Sequence, residues 1–505
     1  MPVEAAPLRV AFATLGCKLN QYESNELQSL LEGEGFHAVP FDEPAHLYVI
    51  NTCTVTSGAD YSDRQMIRRA IARNPEAVVV VTGCYAQTNP GAVAAIPGVD
   101  YILGHQEKYQ FLDLVDSLKK RARPLIAVGE ISKAKTIPIV PVKKFAGLTR
   151  AFIKIQDGCQ HRCTFCIVPY ARGGSRSQRP EVVLDQVREV VKGGYQEVVL
   201  TGVDMGHYGW DMVPRTTLAA LLRQMIEISD LRRIRLSSIL PKYFTEELIE
   251  VITGSPKICH HLHIPLQSGS ERILRAMRRP YTVGMYRSLV ERLAAALPDL
   301  GLGADVIVGF PGESDDDFDA TYRLLDELPF SYLHVFPYSL RRGTEAAHLP
   351  NPVSPSVIAA RGKRLRTLAR AKNLAFRQRC VGQATEVLVL ETRDKATGLL
   401  VGLSDNYIEV LFAGADDLMR RSLTVRVTEV TPDRTLGELV DMAWPGAAPA
   451  SASWRAVSPC AAQGGAERAD PKTQTSSRVQ NVPPQGDGGS RGAAAEPATA
   501  TRRSH

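Results

Sequence analysis

Three cysteines in the run Cys159-Gln160-His161-Arg162-Cys163-Thr164-Phe165-Cys166 are spaced C-x3-C-x2-C, directly after the apolar run 151–155. A strand that empties into three clustered thiols is not an economical way to fill a core. Thiolates are soft ligands suited to iron–sulfur clusters. Three of them can hold three irons of a four-iron cubane and leave the fourth without a protein ligand. That open iron can take the amino and carboxylate groups of S-adenosylmethionine (SAM). A structural zinc site would need a fourth ligand, and His161, inside the loop itself, is the nearest candidate.

A second set of thiols is dispersed. Residues 8–122 alternate apolar runs with helical patterns: strands are expected at 8–15, 47–50 and 77–81, and helices at 22–36 and 61–72. Strands alternating with helices imply right-handed βαβ crossovers and a parallel sheet. Each expected strand runs into a cysteine, in Leu15-Gly16-Cys17, Asn51-Thr52-Cys53 and Thr82-Gly83-Cys84. Ligands of open α/β sheets bind beyond the carboxyl ends of the strands. Cys17, Cys53 and Cys84 can therefore converge on one metal centre. A free cysteine is often simply buried, but three in equivalent places argue for a shared role.

The remaining composition sets bounds. A chain of 505 residues, 44% apolar, has length for about three domains. Its net charge of +6, from 60 basic and 54 acidic residues, selects no partner. There is no run of 18 apolar residues and no basic-then-apolar leader, so neither a membrane span nor an export signal is expected. Nine cysteines, three of them clustered, read as metal ligands in a reducing cytoplasm rather than as a disulfide framework.

Together these features resemble the radical-SAM methylthiotransferases, over residues ~8 to ~440. The resemblance rests on Thr14-Leu15-Gly16-Cys17-Lys18-Leu19-Asn20-Gln21, Asn51-Thr52-Cys53-Thr54-Val55-Thr56, Thr82-Gly83-Cys84-Tyr85-Ala86-Gln87 and the C-x3-C-x2-C loop. It implies two four-iron clusters: one that binds SAM, on Cys159, Cys163 and Cys166, and an auxiliary one on Cys17, Cys53 and Cys84. Phe165 stands at the family's aromatic position before the last cysteine.

The expected architecture is an N-terminal parallel α/β domain (1–130), a linker (131–149) and an incomplete (βα)6 barrel (150–350). A basic helix (351–380), a small β-barrel similar to a TRAM domain (381–440) and a disordered tail (441–505) follow. Six barrel strands are expected at 151–155, 197–200, 234–238, 261–266, 303–310 and 332–338. In such barrels the site lies at the carboxyl ends of the strands. By that logic Thr201, Gly202, Asp204, Gln267, Ser268 and Asp305 are candidate SAM contacts. Thr201-Gly202-Val203-Asp204 resembles the family's segment for the SAM amino group, without the Gly-Gly-Glu of many members.

Between 361 and 379 lie eight basic and no acidic residues. Arg364, Arg366, Arg370 and Lys372, with Arg172 and Arg176 after the cysteine loop, are candidate RNA contacts. Residues 381–440 carry six basic and ten acidic side chains, which argues against a broad phosphate-binding surface there. Cys259, Cys380 and Cys460 have no partner spacing and read as incidental.

The resemblance implies abstraction of hydrogen from an unactivated C–H, followed by delivery of a methylated sulfur. Its branches modify threonylcarbamoyladenosine or isopentenyladenosine beside the tRNA anticodon, or an aspartate of a ribosomal protein. Gly16-Cys17-Lys18-Leu19-Asn20 and Asn51-Thr52-Cys53-Thr54-Val55-Thr56 most resemble the threonylcarbamoyladenosine branch. That implies a monomeric cytoplasmic enzyme with a tRNA substrate and a low-potential donor such as flavodoxin or ferredoxin. Two readings lie outside the family. A cobalamin-dependent radical-SAM enzyme leaves the strand-end thiols unexplained; a metal-stabilised RNA-binding protein leaves the glycine-rich barrel turns unexplained.

Overall fold

The computed structural model describes residues 8–440, apart from 139, 141, 143, 144 and 146; the expected tail at 441–505, with Cys460, lies outside the described residues. Three sheet systems follow one another. The first is a six-stranded, all-parallel sheet in the spatial order His37–Val39, Arg9–Thr14, Leu47–Thr52, Val78–Gly83, Tyr101–Leu103, Leu125–Ala127. Its three central strands are those read from the apolar runs. The three others are edge-side strands of three residues each, too short to show a pattern.

The helix after the first strand differs from expectation. It runs Lys18–Gly33 rather than 22–36, starting as soon as Cys17 leaves the sheet. Its buried residues include Asn20, Glu23, Ser24, Asn25 and Glu26. A helix that buries polar groups gives no apolar stripe to read.

The central barrel has six parallel strands in two runs. Ala151–Lys154, Glu197–Thr201 and Arg233–Leu236 form one; His261–His263, Gly301–Val308 and Tyr332–Pro337 form the other. Bridges Ile234 to Ile258 and Ser238 to His263 join the two runs, leaving a seam between the first and last strands. The fourth strand stops at His263 rather than continuing to 266. Pro265 has no N–H to extend the ladder. Helices Pro180–Lys192, Leu218–Ile226, Glu246–Gly254, Val283–Ala296 and Asp315–Glu327 bury their apolar faces on the barrel in one continuous core. Ser314 and Asp317 form a reciprocal capping box that sets the start of the last of these.

Helix Pro355–Gln378 follows, and then a closed five-stranded barrel of Ala384–Arg393, Leu400–Ser404, Glu409–Phe412, Ser422–Val430 and Thr435–Leu439. Among the described residues no helix is long and apolar enough to cross a membrane.

Candidate metal and cofactor site

The three strand-end cysteines sit side by side. Leu47–Thr52 lies between the other two strands, and the registers Thr14 to Asn51 and Thr52 to Gly83 bring the three carboxyl ends level. Cys17 caps helix Lys18–Gly33, Cys53 directly follows its strand, and Cys84 opens the short helix Cys84–Thr88. Gly16 permits this convergence. With φ at +97°, it lies so close to Cys53 that an added Cβ would sit 2.9 Å from the Cys53 sulfur. The Cys53 N–H donates to the Asp63 carboxylate, at 3.1 Å to Oδ2. Burial pushes the Cys53 thiol up, and the Cys84 thiol up to about 12. Metal binding must therefore displace their protons.

The second set occupies the loop after the first barrel strand. The Cys159 N–H donates to Gly173 O at 3.0 Å, closing the loop at its base. At its tip, Thr164 donates to Met277 O and Ala276 O, at 3.2 and 2.9 Å. Phe165 packs on the apolar cluster of Ile273, Met277 and Phe310, so its observed role is to seat the loop. Arg279 Nη1 lies 3.3 Å from the Cys163 sulfur, a cation placed to offset thiolate charge. Burial raises the Cys166 thiol to about 11 and the Cys159 thiol further.

Asp204 adjoins this loop. Its Oδ2 lies 3.9 Å from the Cys159 sulfur and accepts from the Tyr243 hydroxyl at 3.2 Å; His161 Nε2 is 3.4 Å away. Burial raises the Asp204 carboxyl and lowers His161 to about 4, so His161 is neutral here. Asp204 Oδ1 is buried without a hydrogen-bond partner. A buried orphan acceptor beside three thiols fits a cofactor that brings its own ammonium group. Three soft ligands plus that acceptor fit a SAM-binding iron–sulfur cluster.

The other expected SAM contacts divide. Thr201 is buried, and its carbonyl accepts from Ile155 N–H; Gly202 packs against Gln156. Gln267 holds φ at +69° and bridges to Val306. Ser268 is fully buried, bonded to Thr321 Oγ1 and to Ser270 N–H, and so is a turn-building residue rather than one open to a cofactor. Asp305 lies 3.2 Å from both His263 Nε2 and His334 Nδ1. Burial opposes its ionisation, but these two imidazoles more than reverse that and hold it well below the usual carboxylate range.

Arg172 and Arg176 do not form an RNA-binding path. They are 2% and 3% exposed, and both pair with Asp157. Arg172 also pairs with Glu23 at 2.9 Å and donates to Asn20 Oδ1 at 2.7 Å. It thereby ties the cysteine loop of the barrel to the N-terminal sheet. Lys108 and Lys154 surround the same Glu23. A second brace runs from the far side of the barrel, where Arg341 pairs with Asp60 at 2.8 Å.

On helix Pro355–Gln378, Arg364 pairs with Asp319 and lies over Phe318, and Lys372 Nζ bonds Asp326 O. Arg361 and Arg377 are buried and serve structure, through Glu313 and through the carbonyls of 431, 432 and 434. Lys363, Arg366 and Arg370 remain exposed, spaced to share one helix face. Sequence reasoning did not single out Arg279, Tyr243, His334 or Arg341. Each is a lone polar residue whose partner in the site lies far away in the chain, so spacing carries no signal for it.

Two family models match: the radical SAM superfamily over residues 153–325, and uncharacterized protein family UPF0004 over 9–104. The chain is 41% identical over 85% of its length to the threonylcarbamoyladenosine tRNA methylthiotransferase MtaB of Bacillus subtilis, covering 96% of that protein. The chain belongs to the radical-SAM methylthiotransferases. Members of this family use SAM and four-iron clusters, an auxiliary one included. Identity to the MtaB of Aquifex aeolicus is 40%, over 80% of this chain and 96% of that one. The tRNA-2-methylthio-N(6)-dimethylallyladenosine synthase of Moorella thermoacetica is 36% identical over 85% of this chain and 97% of its own. The fold is also similar to that of the radical S-adenosylmethionine methyltransferase TsrM of Kitasatospora setae. That match has a TM-score of 0.50 at 15% identity and covers 66% of this chain and 73% of the other.

Proposed function

We propose that this enzyme adds a methylthio group to C2 of N6-threonylcarbamoyladenosine in tRNA. The observation that carries the reading is the pairing of two three-cysteine sets in one compact body, in a chain 41% identical to an MtaB. When bound, a cluster on Cys159, Cys163 and Cys166 supplies the electron that cleaves SAM, and one on Cys17, Cys53 and Cys84 supplies the sulfur.

The chain's own groups prepare that chemistry. Asp204 Oδ1 accepts from the SAM ammonium, while Tyr243 and His161 hold the other carboxylate oxygen in place. Arg279 offsets negative charge at Cys163. Arg172 keeps the two cysteine sets in a fixed relation, so that substrate meets both at once. The exposed face of Lys363, Arg366 and Arg370 provides phosphate contacts. The electron donor is a small low-potential protein such as flavodoxin or ferredoxin, and the working unit is a monomer.

The test is a gene deletion followed by mass spectrometry of total tRNA nucleosides. Loss of 2-methylthio-threonylcarbamoyladenosine, with accumulation of its precursor, is expected. Loss of the dimethylallyl counterpart instead would move the enzyme to the branch of the Moorella relative.

A further inference from the structure

The loop at 202–217, between the second barrel strand and helix Leu218–Ile226, carries an aromatic ring that the reaction leaves unused. Trp210 is 51% exposed, although a pinned turn presents it. Tyr208 is fully buried and donates its hydroxyl to Gln178 O, and the Gly209 N–H donates to Ser177 Oγ. Gly209 holds φ at +83°, where an added Cβ would stand 2.4 Å from Thr216 O, so the turn closes only with glycine. A rigid base thus holds a large apolar ring out in water, with Val213 fully exposed beside it in the chain.

Behind Trp210, contacts lead inward without a break. Its ring stacks on His207 at 5.5 Å, and His207 meets the Tyr243 ring at 6.1 Å. The Tyr243 hydroxyl donates to Asp204, whose carboxylate lies 3.9 Å from the Cys159 sulfur. The His161 ring, 6.1 Å from Tyr243, adjoins Arg162, where the cysteine loop comes to the surface.

The charge of this patch is one-sided. Arg215 lies over the Trp210 ring at 5.5 Å and Lys242 over the Tyr243 ring at 4.7 Å. Both are exposed, as is Arg162, and among the described residues none of the three pairs with a carboxylate. Asp211, on the same loop, already accepts from the Ser177 N–H and hydroxyl. An exposed tryptophan framed by arginine and lysine suits a small, transient protein interface steered by charge.

The neighbouring chemistry names the occupant. SAM cleavage at the cysteine loop takes one electron, and electron transfer falls steeply with distance, so a donor must dock close by. The cations proposed for tRNA lie elsewhere: helix Pro355–Gln378 packs on the last barrel strand, in the other run of three.

We propose that Trp210, Arg215 and Lys242 form the docking surface for a small electron carrier whose cofactor is rimmed by acidic side chains. This rests on the reading of the reaction and its donor given above. In each encounter the carrier is oxidised by one electron and the cluster on Cys159, Cys163 and Cys166 is reduced by one; no bond forms or breaks. Trp210 supplies the anchor of the contact, and the two cations supply its orientation and its rate of encounter.

The experiment uses full-length enzyme with both clusters loaded, and flavodoxin and ferredoxin of the same host as probes. The affinity of wild type for the carrier, read by calorimetry, is expected to fall with added salt. Trp210→Ala and Arg215→Glu are each expected to weaken it about 10-fold and to raise the carrier's KM in SAM cleavage to match. With dithionite as reductant both variants should cleave SAM at the wild-type rate, and their affinity for tRNA should equal that of wild type. Unchanged carrier affinity in both variants overturns the docking surface. Weakened tRNA binding with carrier binding intact makes the patch an RNA surface, and a slower dithionite reaction makes it part of the SAM site; either result overturns the proposal. If neither carrier binds wild type while dithionite still drives SAM cleavage, the donor reading itself falls, and this surface with it.

Discussion

Arg172 Nη2 lies 2.7 Å from Asn20 Oδ1, and Asn20 Nδ2 in turn donates to Leu15 O and Thr52 O, two residues before Cys17 and one before Cys53. One guanidinium from the cysteine loop of the barrel thus sets the backbone that carries two auxiliary thiols, some 150 residues away in the chain. The pair makes the distance between the two cysteine sets a built feature rather than a matter of domain drift.

Removing that guanidinium should be costly. Arg172→Met leaves Glu23 and Asp157 buried with fewer cations, a change worth roughly 3–5 kcal/mol. Thermal unfolding of the loaded protein measures it. A shift no larger than that of an exposed control such as Arg188→Met would show that the pair carries little.

The same network predicts acid sensitivity. Burial, the largest effect, would raise the Asp157 carboxyl, but Arg172, Arg176 and Lys154 together outweigh it and leave Asp157 at about 2, against an ordinary value near 3.8. A carboxyl lowered on folding stabilises the fold above its unfolded pKa and loses that contribution as pH falls through the folded one. The window is therefore pH about 4 down to about 2, and the contribution about 2 kcal/mol. Urea unfolding of Asp157→Asn should show a shallower decline over that window than wild type.

Cys163→Ala should abolish SAM cleavage and halve the iron content, from about eight to about four per chain. Binding of tRNA, measured by filter retention, should change less than twofold, since Cys163 is buried and offers no surface for phosphate. Surviving turnover would contradict the assignment of this loop.

Asp204→Asn keeps the shape and removes the charge. The affinity for SAM should fall about 10-fold, read by equilibrium binding to the loaded enzyme. The cluster spectrum without SAM should be preserved, because Asp204 is not among the thiol ligands.

On the basic helix, Arg366→Ala and Arg370→Ala should each weaken tRNA binding and lower the salt slope by about one unit. Arg361→Ala should instead reduce stability, because Arg361 is buried against Glu313. If all three behaved alike, the division between exposed and structural cations on this helix would be wrong.

Cysteine spacing was enough to mark both three-cysteine sets that the fold brings together, because a candidate ligand needs a particular residue type and the barrel loop keeps its three within eight residues. The strand-end cysteines were legible for a related reason: a parallel sheet places the ends of successive strands on one edge. Long apolar runs likewise announced the central strands of the first sheet and the six of the barrel. What the chain could not announce are its polar partnerships. Arg172 and Arg176 look like surface cations in the sequence, and only folding places them on Glu23 and Asp157. Periodicity reports which face of an element is apolar, and so it reports burial by water exclusion. Charge pairing, orphaned acceptors and excess cations depend on distances between remote residues, and those exist only once the chain has folded.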